Sequence, residues 1–102
     1  MRLRNNFPDK VRNMYFDIWE CSLCGRNGQF HGGLELHHIR GRISSSALNC
    51  SILCGECHSH MSHYFEEEKR LMQKQIRFLL RNNYEFKEND LKFYNQHKKY
   101  YE

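Results

Sequence analysis

The sequence predicts a small α+β domain closed by a metal staple, and three observations carry that expectation. Two Cys-x2-Cys knuckles, Cys21 with Cys24 and Cys54 with Cys57, stand with 29 residues between them. A strand-like apolar run lies in that interval, and helical spacing lies on either side of it. A chain of 102 residues makes one domain. A domain of that size has a modest core and commonly needs a staple.

The elements follow in order. Val11, Met14, Tyr15, Ile18 and Trp19 recur at helical spacing, and Pro8 suits a first turn, so a helix is expected from about Pro8 to Glu20. The stretch "CSLCGRNGQFHGG", with Gly25, Gly28, Gly32 and Gly33, reads as a cysteine knuckle running into a loop. Leu34 to Ile39 reads as a strand, "RGRISSSALN" as a loop or weak second strand, and "CSIL" as a short extended piece. From Cys57 one long helix is expected, with Met61, Tyr64, Phe65, Met72, Ile76, Leu79 and Leu80 on a broad face. It stops near Asn82 and Asn83. A last short helix starts after Asp90 as N-cap, with Leu91, Tyr94 and Tyr101 on one side. The core thus spans about 21–82, with flanking N-terminal and C-terminal helices and a helical extension over about 83–102. No repeat or low-complexity linker divides the chain.

The net charge of +4 mildly favours an anionic partner and names none. The N-terminus lacks the apolar run of a signal peptide, and no stretch approaches the roughly 20 apolar residues of a membrane span. A soluble, cytoplasmic protein without a membrane partner is therefore expected. In a reducing compartment clustered cysteines are metal ligands more often than disulfides. Two short knuckles supply four thiolates for tetrahedral zinc with little strain. Such a site contributes on the order of 10 kcal/mol to folding, comparable to the whole stability of a small domain. Cys50, left over, reads as a small apolar filler.

Between the knuckles, "LELHHIRGR" sets His37 beside His38. Neighbours on a strand point to opposite faces, so the two imidazoles suit two different tasks. Asn49 follows, and His58 stands directly after Cys57. This order, "LELHHI…LN…LCGECH", resembles the HNH endonucleases, the ββα-metal finger nucleases whose zinc-bearing members set the catalytic hairpin and helix between two CxxC knuckles. The likeness covers about Cys21 to His63.

The resemblance implies a ββα-metal core and metal-dependent hydrolysis of DNA to 5′-phosphate and 3′-hydroxyl ends. It makes His38 the general base, a task that an imidazole with an ordinary pKa of about 6.5 suits. It makes His37 and His58 ligands of a catalytic divalent ion, and Asn49 a brace for the loop that orients the base. Many relatives carry Asp where this chain has His37. Mg2+ prefers oxygen ligands, whereas Mn2+, Ni2+, Co2+ and Zn2+ accept imidazole readily, so several divalent ions are expected to support activity. Arg40 and Arg42, directly after the pair, are candidates to grip a substrate phosphate. No recognition module accompanies them, so low sequence specificity is expected. The family association further implies a phage or prophage accessory factor in the host cytoplasm, acting with DNA packaging machinery or another partner protein.

Other residues read more plainly. Ser62 stands where some relatives add a third histidine, and His31, His60 and His97 read as surface residues. Arg70, Lys74, Arg77 and Arg81 form a stripe that reads as a solvated helix face. The rival expectation is a non-catalytic zinc-binding module for nucleic acid or protein. It explains the cysteines and the charge, but not the order His38, Asn49, His58.

Overall fold

The structure is a computed structural model that describes residues 7–15, 18, 20–25, 27, 34–41, 43–59 and 64–102. Among these, two strands form one antiparallel hairpin: β1 (Leu34–His38) and β2 (Cys50–Cys54). Leu34 stands opposite Cys54, His37 opposite Ser51 and His38 opposite Cys50. The second strand is therefore the "CSILC" segment, buried along its whole length. The preceding "RGRISSSALN" supplies the connecting loop, which ends in a 3-10 turn (Ala47–Asn49).

The first helix is shorter than its spacing predicts. α1 covers Asp9–Asn13, and the chain turns at Met14 and Tyr15 instead of continuing to Glu20. Two contacts account for the early stop. The Tyr15 hydroxyl bonds to Gln75 while its ring stacks on Phe78. Glu20 pairs as an isolated bridge with Asn27, which closes the first cysteine knuckle. Phe7 and Val11 anchor α1 in the core. Trp19 lies outside the described residues.

The long helix expected from Cys57 is two helices. α2 (Gly55–Ser59) carries the second knuckle. Tyr64 is extended at φ −70° and ψ 148°, and α3 (Phe65–Arg81) starts after it. Glu66, Glu67 and Glu68 fill the first turn of α3, where negative charge favours a helix start. The buried side of α3 is Glu68, Leu71, Met72, Gln75 and Leu79. Tyr64, Phe65 and Leu80, expected on the core face, are exposed. Met61 lies outside the described residues. The helix ends as expected: Asn83 adopts φ 55°, and Tyr84 N–H returns to Leu79 C=O at 3.0 Å.

α4 (Glu88–Gln96) begins three residues earlier than an Asp90 cap predicts. Asp90 sits inside the first turn and accepts the Lys87 N–H at 2.8 Å. That shift turns Phe93 inward and leaves Leu91 exposed. Asp90 is fully buried and also accepts from Ser46 Oγ (2.6 Å), Ala47 N–H (3.1 Å) and Tyr84 OH (2.7 Å). One carboxylate thus fastens α4 to the loop of the hairpin. His97, read as a surface residue, is buried. Its ring stacks on Phe93 at 4.1 Å, and its Nδ1 bonds to the Phe93 carbonyl at 2.9 Å. No helix is long and apolar enough to cross a membrane among the described residues.

Candidate metal centres

The first knuckle is shaped by its glycine. Gly25 adopts φ +81°, a conformation that side-chain-bearing residues rarely take, and its N–H bonds to Cys21 C=O at 2.9 Å. Leu23 N–H points at Cys21 Sγ (3.4 Å), and Cys57 N–H points at Cys54 Sγ (3.4 Å). Each knuckle therefore turns a backbone N–H onto its first sulfur, from two residues on in the first and from three residues on in the second. Ser22 N–H bonds to Ile52 C=O at 2.9 Å and joins the first knuckle to the edge of β2.

These turns bring four thiols together, with all ligating atoms of Cys21, Cys24, Cys54 and Cys57 within 4.8 Å of one another. Cys24 Sγ and Cys54 Sγ lie 3.8 Å apart. A sulfur tetrahedron around zinc, with bonds of about 2.3 Å, has edges of about 3.8 Å. The cluster is thus close enough to bind a metal ion, and its donor set fits structural zinc. Burial opposes charge on Cys21, but the backbone N–H groups of Cys24, Cys54 and Leu23 more than offset it and hold the thiol down to about 6. Cys57 shifts upward, through burial first and then through the neighbouring thiols. One sulfur is thereby ready as thiolate. Cys50 is not part of the cluster; it is buried in the core, as its reading as a filler expects.

The predicted site residues fall into two groups on the hairpin. His37, on β1, meets His58, on α2, with ring centroids 4.9 Å apart and planes at 74°. Two imidazoles bound to one ion at about 2.1 Å through ring nitrogens have centroids roughly 4.5–5.2 Å apart, so the pair fits a shared ion. Glu35, two positions before His37, bonds through Oε1 to His58 Nδ1. His38 points the other way, and its ring stacks on Phe7 at 4.3 Å and 22°. The structure thus brings His37 and His58 together and sets His38 against the N-terminal segment.

Asn49 is fully buried and braces the loop after β1. Its Oδ1 accepts Arg40 N–H at 2.8 Å, while Nδ2 donates to Gly41 C=O (3.0 Å) and Ser44 C=O (2.9 Å). Gly41 takes φ +80° within that loop. Arg40 is committed within the protein: its guanidinium bonds to buried Glu68 at 2.7 Å and lies over the Tyr100 ring at 5.5 Å. Arg42, His31, His60, Ser62 and His63 lie outside the described residues.

The sequence reading missed Glu35, Glu68 and Phe7, and took Asp90 as a helix cap without its buried contacts. Glu35 had a usable signal, because strand alternation places it on the face of His37. The burial of Glu68 and Asp90 had none, since acidic residues on a helix ordinarily face water. Compared with family models, curated proteins and solved structures, the chain matches none.

Proposed function

We propose that this chain is a metal-dependent DNA endonuclease of the HNH type, with low sequence specificity. The observation that carries the reading is the His37–His58 pair, 4.9 Å apart on a hairpin and helix clamped by four clustered thiols. A divalent ion held by that pair, Mg2+, Mn2+ or Ni2+, would polarise the scissile phosphate and stabilise charge on the departing oxygen. His38 acts as general base and takes the proton of the attacking water. Phe7 supports this role by stacking flat on the imidazole and fixing its plane. Asn49 supports it from behind, because the loop it braces begins at the residues following the base. The four cysteines hold a separate structural zinc. A phage or prophage accessory role with a packaging partner belongs to the same proposal.

A plasmid-nicking assay with added Mg2+, Mn2+ or Ni2+ tests it. The His38→Ala protein should keep its zinc and its cooperative melt while cleavage falls about 100-fold or more, the scale for loss of a general base. Equal cleavage by variant and wild type removes His38 from that role.

One observation favours the non-catalytic alternative. A cleft of about 350 Å³ beside the first knuckle is lined by Lys74, Arg77 and Arg81. Lys74 Nζ is bonded to Ser22 C=O at 2.6 Å, which ties this basic side of α3 to the knuckle. A zinc module that grips a nucleic-acid backbone there would bind duplex DNA and cleave it with none of the three ions.

A further inference from the structure

We propose that Glu35 is a positioning residue: it orients His58 for ion binding and thereby sets the affinity of the histidine pair for a divalent cation. The proposal rests on His37 and His58 being the ligands. Glu35 and His37 are two residues apart on β1 and share a face of the hairpin. His58 approaches that face from α2 and meets both of them, Glu35 through Nδ1 and His37 through the ring.

The carboxylate can only accept, so in the neutral His58 ring Nδ1 carries the proton and Nε2 keeps the lone pair that an ion needs. Glu35 also fixes the ring plane, which a ligand on a five-residue helix would otherwise choose among rotamers. Glu35 is not itself a third ligand. Among the described residues, the four cysteines are the group of three or more candidate donors whose ligating atoms lie within 4.8 Å of one another. Nor is its contribution to the fold large. The Glu35 and His58 side chains are 58% and 39% exposed, and exposed ion pairs add little stability. Loss of Glu35 should therefore change the ion site and leave the fold alone.

The test uses the full chain loaded with one equivalent of zinc, in wild-type, Glu35→Ala, Glu35→Gln and His37→Ala forms. Long-range proton–nitrogen NMR reads the tautomer of His58, and calorimetric titration with Ni2+ reads the second site. The wild type should show the Nδ1–H tautomer and one nickel site that His37→Ala removes. Glu35→Ala should mix the tautomers and weaken nickel binding by about 10- to 100-fold, the usual scale for losing the carboxylate behind a ligating histidine. Glu35→Gln, which still accepts a hydrogen bond, should fall between the two. Melting temperatures of the Glu35 variants should match the wild type. Unchanged nickel affinity in Glu35→Ala overturns the proposal. A wild type that takes up no second ion overturns it together with the ligand reading, and the tautomer then tells whether the Glu35–His58 contact itself forms.

Discussion

The Asn49 amide uses both of its ends inside one loop, accepting from Arg40 and donating to Gly41 and Ser44. Removing it strands one backbone N–H and two carbonyls at a part-buried place. Asn49→Ala should therefore cost about 3 kcal/mol in urea denaturation, the sum expected for partly relieved unsatisfied groups. Cys50 gives a second outcome at this scale. Burial pushes its thiol from 9.0 up to about 12, against the smaller opposing effects of Tyr15 and Arg12. The unfolded chain then loses this proton near pH 9 while the folded chain keeps it. The folded state binds more protons in that window, so stability falls as pH rises from about 9 to 12, by up to about 1.4 kcal/mol per unit. Melting curves between pH 8.5 and 10.5 should show a shallower decline in Cys50→Ala than in wild type, by roughly that slope. The four clustered cysteines were legible from residue type and spacing, and strand alternation separated His37 from His38. The burial of Glu68 and Asp90 was not legible. It depends on Arg40 and Ser46, which stand 28 and 44 positions away.

At the scale of elements, the hairpin is held from behind by two carboxylates reaching out of helices. Glu68 on α3 takes the guanidinium of Arg40, and Asp90 on α4 takes the Ser46 hydroxyl and the Ala47 N–H. Asp90→Ala leaves four donors without their acceptor, two of them backbone N–H groups. A loss of about 3 kcal/mol or more is expected. Hydrogen exchange should quicken in α4 and in the 3-10 turn before β2, with zinc retained. Protection unchanged in those two segments would show that α4 docks by its apolar contacts alone. The strand of the histidines, the end of α3 at Asn82 and Asn83, and the existence of α4 could be read from pattern and turn chemistry. The break before α3 could not. Apolar spacing continues across it, while Tyr64 takes an extended backbone directly before α3. The shortness of α1 was hidden for a similar reason, since the bridge between Glu20 and Asn27 is a tertiary demand on a locally helical pattern.

For the molecule as a whole, the cysteine cluster ties the turn of the first knuckle to the junction of β2 and α2. Cys21 and Cys24 lie in a turn, while Cys54 and Cys57 join β2 to α2. Removing zinc with a chelator, or substituting Cys54→Ser, should abolish the cooperative melt, because on the order of 10 kcal/mol of binding energy then no longer supports a small core. Retention of a wild-type melting temperature would argue against a structural role for the metal. His58→Ala should behave oppositely, keeping zinc and melt while divalent-ion dependence weakens. The staple itself was plain from two matching spacings and the length of the chain. How the C-terminal extension folds back was not, because Tyr100 lies under Arg40 and beside Phe65, contacts that no local pattern announces.

Cys57 and His58 are consecutive residues of one short helix. The imidazole consequently inherits its location from the neighbouring sulfur, and under the proposed function the two ion sites would work in series. Scarcity of zinc, or oxidation of a single thiol, would uncouple that ring from His37 well before the protein met any substrate. Under the proposed function, supply of the inert ion would thereby govern whether the second ion can be held at all.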